Sequence, residues 1–161
     1  MKLKRLLSLA VLCVAGVGSS WADNSAGKAT SLPNGVYFLK SVDNTYISRG
    51  GNYNTEATLD EFGLAVNITT DNNVSKLLFV DANKPLFSTD QGTVFTDGNT
   101  NNENSKWTVT AVDGGYTLYN IATSKYLVPG NDGNYIVAKL GTSSSVWTIE
   151  TAEQHVAAMT T

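Results

Sequence analysis

The segment Trp107-Thr108-Val109 returns 40 residues later as Trp147-Thr148-Ile149, and this spacing decides the fold. A second landmark, Lys84-Pro85-Leu86, returns 41 residues later as Lys125-Tyr126-Leu127 and is preceded, 39 residues earlier, by Thr45-Tyr46-Ile47. A repeat period of this length is typical of architectures in which each unit is one supersecondary element that cannot bury its apolar face alone. The sequence therefore indicates three related units.

Each unit holds four short stretches rich in β-branched and aromatic residues, separated by turns rich in glycine, asparagine and aspartate. The first kind of residue fits a pleated sheet, and the second supplies the positive φ that tight hairpin turns require. Three such units predict twelve strands between residues 35 and 150. The predicted strands are 37–39, 46–48, 57–59 and 66–68; 77–79, 86–88, 93–95 and 107–109; and 116–118, 126–128, 135–137 and 147–149.

Three units are too few for an open solenoid without capping repeats, whereas an all-β chain can remove its sheet edges by closing on itself. The period, the strand count and the Trp-x-aliphatic segments resemble the β-trefoil of ricin-type lectin domains and their secreted bacterial relatives, across residues 35–150. A two-sheet sandwich or a small propeller-like array accounts less well for three units. We therefore predict an all-β, β-trefoil fold.

The sequence also departs from the ricin-type pattern. Those units typically carry Gln two residues before the Trp, but Ser105 and Ser145 stand at these positions, and Val66 replaces the Trp of the first unit. The departures weaken the implied sugar binding more than the implied fold. Large aromatics at the same point of each unit are more often core than contact surface, so we assign Trp107 and Trp147 to the core.

The amino terminus has a basic start and an apolar run from Leu6 to Val17. The run is shorter than the roughly 20 apolar residues that a membrane span needs, so it predicts a secretory signal peptide over residues 1–22. A flexible polar leader is expected over 23–34. We expect the protein to be exported, whether secreted, periplasmic or held at the cell surface.

The carboxyl terminus changes pattern after Glu150. Thr151 and Gln154 have the spacing of a capping box, which predicts that a helix begins there. Residues 151–161 are therefore expected to form a short helix or the start of a linker to a further module, because two turns are too few to be stable alone.

Composition excludes several classes of function. Cys13 is the single cysteine and lies in the predicted signal peptide, so no disulfide is expected in the exported chain. After residue 22 there are eight Lys and Arg against fourteen Asp and Glu, a formal charge of about −6. An acidic surface without basic clusters argues against nucleic acid or anionic membranes as partners.

The sequence offers few residues for enzymatic chemistry. His155 is the only histidine and is expected to be a solvated residue of the terminal helix, which disfavours nucleophilic triads and zinc sites. The segment from Asp97 resembles the start of a calcium loop, but Asn102 and Thr108 stand where glycine and glutamate are needed. Paired carboxylates could serve a glycosidase, yet the candidate aspartates sit mainly in turns. We predict no enzyme, no catalytic residues, no metal and no cofactor.

The turn between the second and third strands of each unit carries the remaining signal. This region resembles the sugar-binding pocket of ricin-type lectins. In such a pocket an aromatic face can pack on the sugar ring, while amide or carboxylate groups pair with its hydroxyls. The same residues would also be expected of ordinary hairpin turns. The candidate carbohydrate-binding residues are Asn52, Tyr53 and Asn54 in the first unit, Asp90 and Gln91 in the second, and Asn131, Asp132, Asn134 and Tyr135 in the third.

The favoured hypothesis is a secreted carbohydrate-binding module with up to three related pockets, each gaining from multivalency. The alternative is a structural or protein-interaction module of a larger bacterial surface or secreted protein, without sugar binding. The missing Gln-x-Trp elements favour that alternative. A protease inhibitor is a third reading, although trefoil inhibitors usually carry disulfides.

Overall fold

Short strands joined by tight turns make up most of residues 31–161, which are the residues that the computed structural model describes. The predicted signal peptide and residues 23–30 of the predicted leader lie outside them. Helix α1 spans Ala152–Thr160, and two 3-10 turns span Asn52–Asn54 and Glu103–Ser105. The strands are β1 Gly35–Lys40, β2 Tyr46–Arg49, β3 Ala57–Asp60, β4 Val66–Asp71, β5 Val74–Phe79, β6 Lys84–Pro85, β7 Phe87–Ser88, β8 Val94–Phe95, β9 Trp107–Val112, β10 Gly115–Asn120, β11 Lys125–Asn131, β12 Ile136–Gly141 and β13 Thr148–Thr151.

Six of these strands pair into a closed ring. Strand β1 pairs with β4, β4 with β5, β5 with β9 and β9 with β10, all antiparallel. Tyr116 of β10 then bridges to Trp147, directly before β13, and β13 pairs with β1. The ring leaves none of its six strands with an unpaired edge along its whole length, which protects it from edge-to-edge association.

Three hairpins, β2–β3, β7–β8 and β11–β12, and the short strand β6, which pairs with β5, make up the rest of the sheet structure. They also contact one another: Thr58 pairs with Val137, Glu56 bridges to Phe95, and Thr93 bridges to Lys139. Each hairpin therefore touches both of the others. This mutual contact brings together turns that lie about 40 residues apart along the chain.

The all-β class and the short terminal helix are confirmed, with local differences from the predicted strands. The strand predicted at 86–88 is shortened to Phe87–Ser88, because the Leu86 N–H donates to the Leu77 carbonyl of β5 at 2.8 Å, whereas Phe87 and Ser88 pair with β8. Tyr135 was expected in a strand but lies in the turn before β12. Its backbone N–H donates to the Asp132 carboxylate at 2.7 Å instead of joining a ladder.

Trp107 and Trp147 are fully buried, which confirms their assignment to the core. The Nε1–H of Trp107 donates to the Leu86 carbonyl at 2.9 Å, and that of Trp147 donates to the Leu127 carbonyl at the same distance. Each indole thus ties the fourth strand of its unit to the second. A buried carbonyl without a donor would be costly, so these hydrogen bonds position the hairpins as well as filling the core.

The first unit has no tryptophan and satisfies the matching carbonyl differently. Val66 is buried at the tryptophan position, and the Ile47 carbonyl accepts from the backbone N–H of Leu64 at 2.9 Å. Gly63 has φ of +71°, and a side chain there would collide with Cβ of Tyr46. The glycine lets the chain turn tightly enough for Leu64 to reach that carbonyl.

Helix α1 begins as predicted. The Thr151 hydroxyl accepts from the Gln154 N–H at 3.2 Å, and the Gln154 side chain accepts from the Thr151 N–H at 2.8 Å. Among residues 31–161 no helix is long and apolar enough to cross a membrane.

The expectation that His155 is solvated is wrong. The residue is 8% exposed, its ring stacks on Phe38 at a centroid distance of 3.8 Å, and it meets the edge of Tyr46 at 4.6 Å. The capping box fixes where the helix starts, and His155 lies one turn later on the side that faces the ring strands. The histidine therefore docks the helix onto the barrel.

Replacing the indole with a ring that lacks an N–H should destabilise the protein. We expect Trp107→Phe and Trp147→Phe each to lower the free energy of unfolding by about 1–3 kcal/mol, because a buried carbonyl loses its donor and a space is left. Chemical denaturation followed by circular dichroism measures the loss. Unchanged unfolding midpoints in both variants would contradict the proposed role of the indole hydrogen bonds.

Tyr46 should make stability depend on alkaline pH. Burial, its 2.9 Å hydrogen bond to Glu150 and the charge of Glu150 raise the pKa of Tyr46 to about 12. Because the pKa of Tyr46 is higher in the folded protein than in the unfolded chain, where it is near 10, the protonated tyrosine stabilises the fold fully below pH 10. This stabilisation is lost as the pH rises through the folded-state pKa. We expect the stability gap between wild type and Tyr46→Phe, about 1–3 kcal/mol at neutral pH, to narrow between pH 10 and 12. A constant gap in pH-dependent denaturation would contradict this.

Candidate ligand-binding site

Residues of all three candidate turns line one surface basin of about 620 Å³. The contacts between hairpins bring the turns to the same place. Residues from the turns of all three units line the basin: Asn52, Tyr53, Glu56, Thr89, Asp90, Gln91, Thr93, Phe95 and Asp132. We call this cavity the shared basin.

The first turn presents an aromatic ring to solvent. Tyr53 is 87% exposed and, like Asn54, has a left-handed backbone, with φ of +57° and +61°. Left-handed conformations are uncommon for aromatic residues, because they cost energy and persist only where the surrounding structure offsets that cost. The turn is tight because Gly51 packs closely: a Cβ on it would lie 2.9 Å from Cγ2 of Thr58.

A short aromatic row continues from Tyr53. Its ring centroid lies 6.2 Å from that of Phe95, and Phe95 lies 5.9 Å from Phe87. Such spacing is typical of interacting aromatic pairs. The row gives the shared basin one apolar wall among polar side chains.

An amide joins two carboxylates across the basin. Nδ2 of Asn52 donates to Oε2 of Glu56 at 2.7 Å and to Oδ2 of Asp132 at 2.5 Å, while the backbone N–H of Asn52 also donates to Oε2 of Glu56 at 3.1 Å. Glu56 is 3% exposed. The network therefore connects the first and third turns through groups that are 80 residues apart in sequence.

Asp132 also organises its own turn. Its Oδ1 accepts from the N–H groups of Tyr135 at 2.7 Å and Asn134 at 2.8 Å, and these two bonds lower the pKa of the Asp132 carboxyl below its usual range. Asn131 contributes similarly, since its Oδ1 accepts from the Gly133 N–H at 2.6 Å. The carboxylate is thus held charged where ordinary aspartates begin to protonate.

Five of the nine candidate residues line the shared basin, namely Asn52, Tyr53, Asp90, Gln91 and Asp132. The other four, Asn54, Asn131, Asn134 and Tyr135, do not line it and instead shape the turns beside it. Sequence reasoning missed the lining residues Glu56, Thr89, Thr93 and Phe95. Glu56 directly precedes a predicted strand and Phe95 ends another, and only their bridge across the two hairpins reveals that they share a site.

Comparison with family models and with curated proteins finds no match. Solved structures do match. The structure of lysenin in complex with phosphocholine superimposes with a TM-score of 0.64 at 17% identity, over 78% of this chain and 47% of lysenin. The lectin of Polyporus squamosus, solved with a sialylated epitope, gives 0.60 at 15% identity, over 74% and 50%.

The fold is a β-trefoil. A proteinase inhibitor from Coprinopsis cinerea matches with a TM-score of 0.60 at 18% identity, over 76% of this chain and 100% of the inhibitor. The trefoil thus spans about half the length of lysenin and of the lectin, but all of the inhibitor. These neighbours have different activities at low identity, so they show the fold alone.

Removing the Asp132 carboxylate should loosen the third turn. We expect Asp132→Ala to raise the hydrogen-exchange rates of the Asn134 and Tyr135 amides severalfold, because both lose their acceptor. Asp90→Ala is the matched control, since Asp90 is exposed and accepts no hydrogen bond among the described residues. Equal exchange in the two variants, measured by mass spectrometry, would show that the carboxylate does not hold the turn.

Proposed function

We propose that this trefoil is an exported, non-enzymatic module that binds carbohydrate in the shared basin. The observation that carries the proposal is the exposed Tyr53 ring, held in an uncommon backbone conformation beside Asn52, Gln91 and Asp90. An aromatic face can pack on the apolar side of a pyranose, while amides and carboxylates pair with its hydroxyls.

The geometry favours one composite site over three independent ones. Each turn alone offers few groups: the second has no aromatic residue, and Tyr135 of the third does not line the basin. Together they supply an aromatic wall, two amides and three carboxylates around about 620 Å³. A cavity of that size can hold a small oligosaccharide. We therefore propose a stoichiometry of one saccharide per chain.

A saccharide array probed with the folded protein, followed by isothermal titration of each hit, tests the proposal. Saturable binding with one ligand per chain supports the composite basin. Three ligands per chain would favour separate pockets in each unit. Absence of binding on a broad array, with folded monomeric protein, would favour the alternative of a structural or protein-interaction module.

Tyr53 and Tyr135 provide a matched pair of variants. We expect Tyr53→Ala to weaken binding by about tenfold or more without lowering the melting temperature, because the exposed ring contributes to the ligand contact and not to the core. Tyr135→Ala removes a ring that is 41% exposed and outside the basin, so its affinity should stay near wild type. Titration and thermal melting of both variants give the comparison, and the reverse pattern would move the site to the third turn.

A further inference from the structure

The shared basin is strongly acidic. Its lining includes the carboxylates of Glu56, Asp90 and Asp132, and none of its lining residues is a lysine, arginine or histidine. The ion pair of Arg49 lies elsewhere, with Asp81 at 2.8 Å. The negative charge of the basin therefore has no compensating cation among the residues that line it.

One carboxylate oxygen of the basin accepts no hydrogen bond from the described residues. Both oxygens of Asp132 accept hydrogen bonds, from Asn52 and from two backbone N–H groups. Glu56 uses Oε2 for both of its bonds to Asn52, and within residues 31–161 its Oε1 accepts none. Glu56 is 3% exposed, and its Oε1 is not among the fully buried atoms that lack a partner, so this oxygen keeps access to solvent and is available to a donor on a ligand.

A cationic donor on the ligand would satisfy this oxygen. A primary ammonium carries three donors and a positive charge, so it can bond Oε1 of Glu56 and also attract Asp90 and Asp132. A metal ion fits the residues less well. No group of three or more metal-ligating side chains occurs among residues 31–161, and Asn52 already directs an N–H to both carboxylates.

The same charges disfavour acidic sugars. A carboxylate or sulfate in the basin would share it with three carboxylates, and the repulsion would be least screened at Glu56, which is buried. The exposed Tyr53 ring favours a sugar over a simple cation as the ligand, because it offers a face for a pyranose beside the carboxylates. The ligand chemistry that fits both features is a sugar ring with an amine.

We infer that the shared basin selects saccharides that carry a free amino group and discriminates against sialylated, uronic and sulfated glycans. The inference rests on the proposed carbohydrate function and specifies its substrate class. Glu56 and Asp90 would recognise the ammonium, and Tyr53 would pack on the ring that carries it.

Matched glucosamine oligomers test this. Fully deacetylated and fully N-acetylated oligomers of the same length differ in the amine and its charge but share their sugar rings. By calorimetry near pH 6, we expect the free-amine oligomer to bind about tenfold to hundredfold more tightly, the size of one charge-assisted hydrogen bond. A uronic acid oligomer should bind more weakly than either.

Three variants assign the selectivity to residues. Glu56→Gln keeps the shape of the side chain and should remove most of the preference for the amine. Asp90→Asn should reduce it severalfold, and because Asp90 is exposed this variant stays informative if Glu56→Gln misfolds. Asp113→Asn changes an exposed carboxylate outside the basin and should leave the preference unchanged.

The possible results distinguish a failure of amine selectivity from a failure of the proposed carbohydrate binding. Equal affinity for both glucosamine oligomers, with binding still lost in Tyr53→Ala, would overturn amine selectivity but retain carbohydrate binding. Binding of neither these oligomers nor any array saccharide would overturn both. Binding of a lysine-rich peptide as tightly as the free-amine oligomer would reassign the basin to a protein partner.

Discussion

Every unit of this trefoil has a buried carbonyl on its second strand that must receive a donor. Two units supply it with an indole N–H, from Trp107 and Trp147, and the first supplies it with the backbone N–H of Leu64. Since a buried acceptor without a partner is costly, each fourth strand is fixed relative to its own hairpin. The ring and the three hairpins consequently form one packed unit within the described residues.

The position of the candidate site depends on that constraint. Fixing the hairpins relative to the ring lets them contact one another through Glu56, Thr93 and Val137. Their turns then meet, and Asn52 comes within hydrogen-bond distance of Asp132. A site assembled in this way is a property of the three units together, and a single unit would hold neither its aromatic wall nor its paired carboxylates.

The architecture could be read from the sequence because it rests on local signals. The strand composition and the capping box at Thr151 act through near neighbours, and the structure has the strands and the terminal helix that they predict. The site could be predicted only in part. Tyr53 and Tyr135 looked equivalent in sequence, yet the first lines the basin and the second lies outside it.

The burial of His155 and Glu56 was likewise not predictable from the sequence. The sequence predicts a solvated histidine in the short terminal helix and makes no prediction for Glu56, because sequence periodicity over so few residues does not define a buried face. Their burial involves residues far away in the chain: Phe38 and Tyr46 pack against the histidine, and the backbone of Glu56 bridges to Phe95. The overall negative charge could be counted from composition. Its chemical consequence depends on where the Glu56 carboxylate is buried, because no basic residue lines the basin beside it. That location follows from the packing of the three hairpins, and it distinguishes the shared basin from an ordinary acidic surface.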